Sequence, residues 1–306
     1  MTGSPYNDRM KNISLGLVVV VGMACAMLLV RWIDTLRPPV DPNVADESLY
    51  LDGKTAKRLS LAFNGLAADW YWMRSLQYLG RKMMHYPESF PVDDLSRLNP
   101  KLLAPLLDTA TTLDPQFYAP YEYAAVVLPA VNVQEAIRIT QKGIDANPNS
   151  WRLYQHLGYV YWQQRNYQAA SETYGRGAAI PGAPAWMEAM KAKMAAEGGS
   201  RDTARAIYTR MFEQSKEESV KEMARGRLLQ LDSLDQRDVL RKVLNTYQTR
   251  FGRCPSSWRE LENVFRAARV PVDSSSAPLD PTGVPYVLRQ DTCDVELNPQ
   301  SKIILK

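Results

Sequence analysis

The sequence has few of the side chains on which active-site chemistry depends. Among 306 residues there are two histidines, His85 and His156, and three cysteines. No HExxH, CxxC or GxxxxGK[S/T] pattern occurs. Cys254 has no histidine near it in sequence, and the two histidines are predicted to lie in separate helices, so no nucleophile with a base is indicated. We therefore expect no catalytic residues, no cofactor and no metal site, and predict that the protein is not an enzyme.

A strong excess of charge of one sign is also missing. The chain has 37 basic and 33 acidic residues, and its formal net charge is +4. Because no run of lysine and arginine forms a basic stripe, we expect no nucleic-acid partner. Hydrophobic residues make up 45% of the chain, which is enough for a folded protein with a buried core.

One long stretch near the N-terminus has no charged residue. Residues 13–30 are 18 uncharged residues, and Trp32 and Ile33 extend the run to the length of about 20 residues that crosses a bilayer as a helix. The sequence therefore predicts a transmembrane helix over 13–33, which contacts membrane lipid. Gly22 and Ala26 are small residues four apart, a pattern that favours packing against another membrane helix.

Two alternatives to a retained anchor stay open. A signal peptide cleaved near 24–26 is disfavoured because the apolar run continues beyond that point. A lipid on Cys25 is disfavoured because residues 22–24 form a poor lipobox. The basic residues Arg9 and Lys11 slightly favour an N-terminus in the cytoplasm under the positive-inside rule.

A proline-rich linker, 34–53, follows the predicted anchor, and an aromatic-rich segment, 54–98, follows the linker. Residues 54–86 are predicted to form one long helix that contains Trp70, Tyr71 and Trp72. Packing of these rings under the next helices is the favoured interpretation. The alternative is contact with a partner or with the membrane interface, where amphipathic rings are common.

Small residues recur at a fixed interval in the middle of the chain. Three sets of three residues each repeat at an interval of 34, and the first set consists only of alanine. The sets are Ala136, Ala170, Ala204; Ala124, Gly158, Ala192; and Thr140, Tyr174, Tyr208. Three prolines, Pro115, Pro148 and Pro181, are spaced by 33. This pattern predicts pairs of closely crossing helices that stack on one another. The predicted pairs are 117–128 with 133–146, which ends at Pro148, 151–164 with 167–179, which ends at Pro181, and 184–197 with 201–214. A terminal helix is predicted over 217–231.

The unit 151–181 places Leu157, Gly158 and Tyr161 in its first helix and Ala170 and Tyr174 in its second. It resembles the tetratricopeptide (TPR) family, and the resemblance covers about 116–232. It implies an α-solenoid that binds proteins and not substrates. Together with the aromatic run, the following residues are the candidates for partner binding: Trp70, Tyr71, Trp72, Tyr121, Glu122, Tyr154, His156, Tyr159, Gln163, Glu188.

The repeat pattern stops near residue 235. A helix is predicted over 239–251 with its end at Gly252. Three short β-prone runs are predicted near the C-terminus, at 287–288, 293–297 and 303–305. Cys254 and Cys293 both lie in this last part of the chain, and we predict that they form a disulfide. A disulfide would indicate an oxidising compartment for the soluble part.

The C-terminal segment contains a Gly-x-x-Pro turn at 252–255 and an Asp-Pro-x-Gly-x-Pro-Tyr turn at 280–286. These motifs resemble the soluble end of type II secretion pseudopilins. The departure is that a pseudopilin helix begins in the membrane, whereas this one follows a solenoid. The segment is therefore predicted to be a reused fold element. Asp280, Asp291 and Asp294 are interpreted as turn residues in preference to cation ligands.

The predicted order is a tail (1–12), a transmembrane helix (13–33), a linker (34–53), an aromatic-rich segment (54–98), TPR-like repeats (99–234) and a pseudopilin-like module (235–306). The predicted class is mainly α, a TPR-like α-solenoid with a small α+β C-terminal module. This order resembles membrane-bound tetratricopeptide proteins of bacteria. The resemblance supports this architecture and implies no activity. The anchor, the repeats, the aromatic helix and the absence of catalytic spacing predict a single-pass membrane scaffold that binds protein, as an accessory subunit of a larger membrane complex. The flanking charges and the predicted disulfide favour the bacterial inner membrane with a periplasmic soluble part. The alternative is a component of a secretion or pilus-like assembly machinery.

Overall fold

A computed structural model describes residues 5–36, 50–84 and 95–303. Within these ranges the protein is mainly helical and has one two-stranded sheet, which confirms the mainly α class. Three features predicted from sequence lie outside the described residues. They are the linker prolines, the end of the aromatic segment with His85, and the last apolar residues, 304–305.

The first helix, α1 (Pro5–Leu36), extends beyond the predicted span of 13–33 at both ends. It therefore includes part of the predicted tail. A Cβ built on Gly22 would meet no atom within 4 Å, so the residues that the structure describes provide no packing partner for Gly22 and Ala26. Among those same residues, no helix combines the length and the apolar character needed to cross a membrane.

The aromatic segment forms two helices, α2 (Gly53–Leu59) and α3 (Asn64–Met84), and the prediction of one helix over 54–86 was wrong. The reason is the backbone at Leu61 (φ 47°) and Ala62 (φ 77°), whose left-handed conformation cannot continue a right-handed helix. Asp52 begins α2 by accepting hydrogen bonds from the amides of Lys54 and Thr55.

Seven further helices follow with short connections. Their bounds are α4 (Leu103–Leu113), α5 (Tyr118–Val127), α6 (Val133–Ala146), α7 (Trp151–Gln163), α8 (Tyr167–Ala178), α9 (Trp186–Glu197) and α10 (Arg201–Gln214). Short 3-10 turns precede α4 (Ser96–Leu98) and separate α5 from α6 (Leu128–Ala130). The pairs α5–α6, α7–α8 and α9–α10 match the predicted helices within about two residues at each end.

Small residues stand where these helices meet. All nine residues of the 34-residue pattern are buried. A Cβ on Gly143 would lie 2.8 Å from the ring of Tyr121, and a Cβ on Gly158 would lie 2.8 Å from the ring of Tyr174. A tyrosine ring therefore lies directly against a backbone turn that has no side chain, and this contact fixes the distance between the paired helices.

The next helix, α11 (Glu218–Phe251), is a single helix of 34 residues. Two helices, 217–231 and 239–251, were predicted there, and the predicted boundary between repeats and C-terminal module at 234/235 falls inside α11. No proline or glycine interrupts residues 232–238, so the backbone has no reason to leave the helix. The helix ends, as predicted, at Gly252 in the left-handed conformation (φ 71°).

Ion pairs hold the middle of α11 against α10. A guanidinium nitrogen of Arg201 lies 2.9 Å from a carboxylate oxygen of Asp235 and 2.6 Å from a carboxylate oxygen of Asp238. Arg205 bonds to Asp232 and also to Asp235, at 2.5 Å. Asp232, Asp235 and Asp238, which lie between the two predicted helices, are therefore the acceptors of a charge network between α10 and α11.

The C-terminal module packs on the second half of α11. It consists of a 3-10 turn (Trp258–Leu261), α12 (Glu262–Ala267) and the antiparallel strands β1 (Val287–Arg289) and β2 (Asp294–Glu296). Its core contains Leu244, Trp258 and Phe265. Within the described residues Ile303, predicted to begin a third strand, is not in one.

Two features of the module agree with the sequence. Cys254 and Cys293 form the predicted disulfide. One carboxylate oxygen of Asp280 accepts hydrogen bonds from the amides of Thr282 and Val284, which is the turn role predicted for it. Tyr286 joins the module to α11, because its hydroxyl donates to the side-chain oxygen of Gln236 (2.9 Å) and shares a hydrogen bond with the hydroxyl of Ser233 (3.0 Å).

The contact between Gly158 and Tyr174 generates a prediction about stability. We expect Gly158→Val to lower the free energy of unfolding by about 1–3 kcal/mol, because the added atoms must displace a buried ring. Gly226→Ala is the matched control, since Gly226 lies in α11 with nothing within 4 Å. The control should raise stability by up to about 1 kcal/mol. Denaturant unfolding measures both, and equal effects of the two substitutions would contradict the proposed packing role.

The disulfide generates a second prediction. It closes a loop with a sequence separation of 39, so its reduction should cost about 2–4 kcal/mol of module stability. Thermal unfolding with and without reductant measures this loss, with proteolysis of the module as the readout. The double variant Cys254→Ser/Cys293→Ser should unfold at the lower temperature under both conditions. A midpoint that does not change on reduction of the native protein would refute the expectation.

Candidate protein-binding surface

Three of the predicted partner-binding tyrosines lie in the core. Tyr71, Tyr121 and Tyr154 are 5%, 0% and 6% exposed. Burial raises the pKa of Tyr121 to about 12. Tyr121 lies against Gly143 and Tyr154 lies against Gly177. Burial removes all three tyrosines from the set of surface candidates.

The two tryptophans among the candidates in α3 differ from each other. Trp72 is half-buried and packs edge-to-face against Phe117 (6.2 Å between centroids) and Tyr123 (5.2 Å). Trp70 is exposed on the opposite side of α3, with the guanidinium of Arg74 at 5.2 Å from its ring. The favoured prediction, packing under the first repeat, therefore describes Trp72, and Trp70 faces outward.

The first helix of the second pair, α7, presents three predicted candidates on one side. His156, Tyr159 and Gln163 are spaced by three and four residues, which places them on one helix face. Tyr159 is 45% exposed. The side-chain amide of Gln163 donates to the hydroxyl of Tyr159 at 3.3 Å, and the ring of Trp162 packs against that of Tyr159 at 5.6 Å. These contacts orient Tyr159 before any partner binds.

A histidine–carboxylate contact connects this face to the preceding first helix. His156 Nε2 lies 3.7 Å from a carboxylate oxygen of Glu122 in α5. Burial lowers the pKa of His156 below its ordinary value, and the nearby carboxylate of Glu122 opposes this effect only in part. The imidazole is therefore neutral at pH 7 and protonates only in acid.

A second set of contacts connects α7 to the following first helix. The indole N–H of Trp162 donates to Glu197 in α9 at 2.9 Å. Lys193 lies 5.0 Å from the centre of the Trp162 ring and 3.7 Å from Glu197. We call the joined set of Glu122, His156, Tyr159, Trp162, Gln163, Lys193 and Glu197 the first-helix face. Glu188 lies apart from it, because it pairs with Arg210 in α10.

The first-helix face includes residues that the sequence interpretation missed. Trp162, Lys193 and Glu197 were not among the candidates. A usable indication was present, since Glu122 and His156 are 34 residues apart and Trp162 and Glu197 are 35 apart. These separations equal about one repeat, so the side chains occupy similar positions on successive helices.

A cavity of about 520 Å³ lies elsewhere, between α4 and α6 beside Tyr50. Asp108, Glu135 and Arg138 in its lining are already paired with charged groups. Asp108 bonds to Arg138 (2.9 Å) and to Lys142 (3.1 Å), and the Lys142 ammonium also donates to Thr112 at 2.6 Å. Burial acts to raise the pKa of Asp108, but these cations hold it below its ordinary value. This arrangement joins α4 to α6 and commits these side chains to contacts within the protein.

Within the described ranges, no group of three histidine, cysteine, aspartate or glutamate residues is placed to hold a metal ion. Asp280 and Asp294, considered together in the sequence, have different partners. Ser301 donates to Asp280, whereas Asp294 accepts a 2.7 Å bond from Arg241. The first-helix face is therefore the surface that best fits recognition, with oriented aromatic rings between charged groups.

The buried position of His156 generates a prediction about pH. Its folded pKa lies below the unfolded value of about 6.5, so the unfolded chain binds more protons in acid. Stability should therefore fall as the pH is lowered from about 6.5 to 5. His156→Gln should weaken this dependence without removing it, because other groups also titrate. The unfolding midpoints of the native protein and the variant are measured across this pH range. If the two midpoints change in parallel with pH, His156 does not cause the dependence.

Comparison with known proteins adds no assignment. The chain matches no family model, and no curated protein matches it. The tetratricopeptide and pseudopilin resemblances therefore stay predictions from the motifs described above. What the helices establish directly is a mainly α architecture in which contacts between first helices join three successive pairs on one side.

Proposed function

We propose that the protein is a single-pass, membrane-anchored TPR-like scaffold that binds another protein through the first-helix face, as an accessory subunit of a membrane complex. The observation that supports this proposal most strongly is the continuity of the face. Glu122, His156, Trp162 and Glu197 form contacts that run from α5 through α7 to α9. A peptide or domain that spans several repeats would contact all three helices at once.

The composition of the face suits protein recognition. Exposed aromatic rings supply contact area with few rotatable bonds, and Tyr159 is already oriented by Trp162 and Gln163. A side chain that is fixed before binding loses less entropy when the partner arrives. Glu122, Lys193 and Glu197 provide charges of both signs around the rings, which favours selection among partners over raw affinity.

The proposed anchor is α1. Its support is the uncharged run of residues 13–30, which lies within this helix. The Cys254–Cys293 disulfide favours an oxidising compartment for the rest of the chain. Together these features support an inner-membrane protein whose soluble part lies in the periplasm of a bacterium.

Site-specific crosslinking tests the proposed binding surface. A photo-crosslinking residue at position 159 of the full-length protein, expressed in its native membrane, should form one dominant adduct with a partner. The same residue at position 168 is the matched control, because Gln168 is exposed on the second helix α8. The control should give no such adduct after mild detergent extraction.

A substitution measures the energetic importance of the face. Tyr159→Ala should weaken binding of the crosslinked partner at least tenfold, as expected for an aromatic anchor of about 1.4 kcal/mol or more. Gln168→Ala should leave the affinity unchanged. Titration of the purified partner against the detergent-solubilised protein gives both values. A partner that binds Tyr159→Ala as tightly as the native protein, or a monodisperse monomer with no adduct at 159, would refute the proposal.

A further inference from the structure

The outward side of α2 and α3 is apolar although nothing covers it among the described residues. Leu61, Leu66 and Phe63 are 80%, 71% and 70% exposed. With three other exposed side chains they form what we call the outer edge: Leu59, Leu61, Phe63, Leu66, Trp70, Met73. A run of exposed apolar side chains of this size is unusual for a surface that faces only water.

The opposite side of α3 is already satisfied. Ala68, Tyr71, Tyr78 and Leu79 are buried on the side that packs against α4. A solvated surface helix would have polar residues on its other side, and α3 instead has Leu66, Trp70 and Met73 there. The helix therefore has two apolar sides, of which one packs on the repeats and the other faces outward.

The turn between the helices also directs apolar side chains outward. Leu61 and Ala62 adopt left-handed backbone conformations, which residues with a Cβ adopt at a cost. The amide of Phe63 donates to the carbonyl of Ser60 at 2.8 Å and closes the turn. The result is a tight turn that projects from the surface and has the exposed apolar side chains of Leu61 and Phe63 at its tip.

The charges around the outer edge identify its occupant. Residues 53–84 contain six basic residues and one acidic residue, Asp69. Lys54, Lys57 and Arg58 are exposed next to the apolar tip, and Arg74 lies over Trp70. Apolar side chains flanked by basic residues and a tryptophan match the interface of an anionic bilayer. A second copy of the same edge would bring like charges together, which disfavours self-association.

We infer that the outer edge inserts into the headgroup region of an anionic lipid bilayer and is a second membrane contact of this chain. The inference rests on the proposed anchor. Residues 37–49 connect α1 to Tyr50, and a chain of this length spans at most about 50 Å. The edge is thus held within reach of the bilayer surface that α1 would cross, and insertion would hold the first repeats beside the membrane.

Depth measurement by spin labelling tests the inference on the full-length protein. Single nitroxide labels are placed at Leu66→Cys and Met73→Cys in a Cys25→Ser background, with Gln168→Cys on α8 as the matched control. The protein is reconstituted into nanodiscs that contain phosphatidylglycerol. Labels at 66 and 73 should be accessible to oxygen and at least fivefold less accessible to a polar nickel reagent than the label at 168. Nanodiscs of phosphatidylcholine alone should reduce this difference.

Three outcomes would overturn the inference. Labels at 66 and 73 that are as accessible to nickel as the label at 168 would show an edge in water. Protection from both reagents would show coverage by protein, either a second copy or another partner. If the difference in nickel accessibility between these labels and the label at 168 is the same in both lipid compositions, anionic headgroups have no role in the contact.

The native Cys25 distinguishes this inference from the proposed anchor. It is exposed on α1 and is the free cysteine of the described residues, so it accepts a label without substitution elsewhere. A label on Cys25 that is accessible to oxygen and protected from nickel supports the anchor whatever the outer edge does. If Cys25 is embedded and position 66 is in water, only the inference fails. If Cys25 itself is in water, the anchor fails.

Discussion

The close approach of paired helices is the constraint on which the rest of the structure depends. Gly143 and Gly158 leave room for the rings of Tyr121 and Tyr174, so each pair has one defined spacing and crossing geometry. Because the spacing recurs, the next pair meets the same surface and stacks in the same way. The side chains on the first helices are then aligned from one pair to the next, and the first-helix face is a consequence of this packing.

The helix pairs could be predicted from the sequence because each pair needs small residues where its helices meet. This need recurs with the period of the repeat. Val133–Ala146 and Arg201–Gln214 have the predicted bounds. Two helices were predicted wrongly for opposite reasons. Left-handed residues at Leu61 and Ala62 interrupt a helical pattern without any glycine or proline. By contrast, arginines of α10 pair with aspartates of α11, and this helix continues through residues 232–238, where a break between two helices was predicted.

The candidate site was predictable only in part. The helical spacing of His156, Tyr159 and Gln163 placed them on one face, whereas spacing alone did not distinguish Tyr154, which points toward the core. Partners such as Glu197 and Lys193 become evident only when the separation of one repeat is applied to side chains as well as to small core residues. Contacts across repeats depend on three-dimensional stacking, which no single helix pattern contains.

The continuity of α11 has a mechanical consequence. A helix of 34 residues is about 51 Å long, and it belongs to the last repeat at one end and to the disulfide-bonded module at the other. Salt bridges from α10 and the hydroxyl of Tyr286 fix it laterally at its middle. Because this helix is continuous, the module and the last repeat are joined rigidly. A displacement of the module should therefore move the last repeat with it.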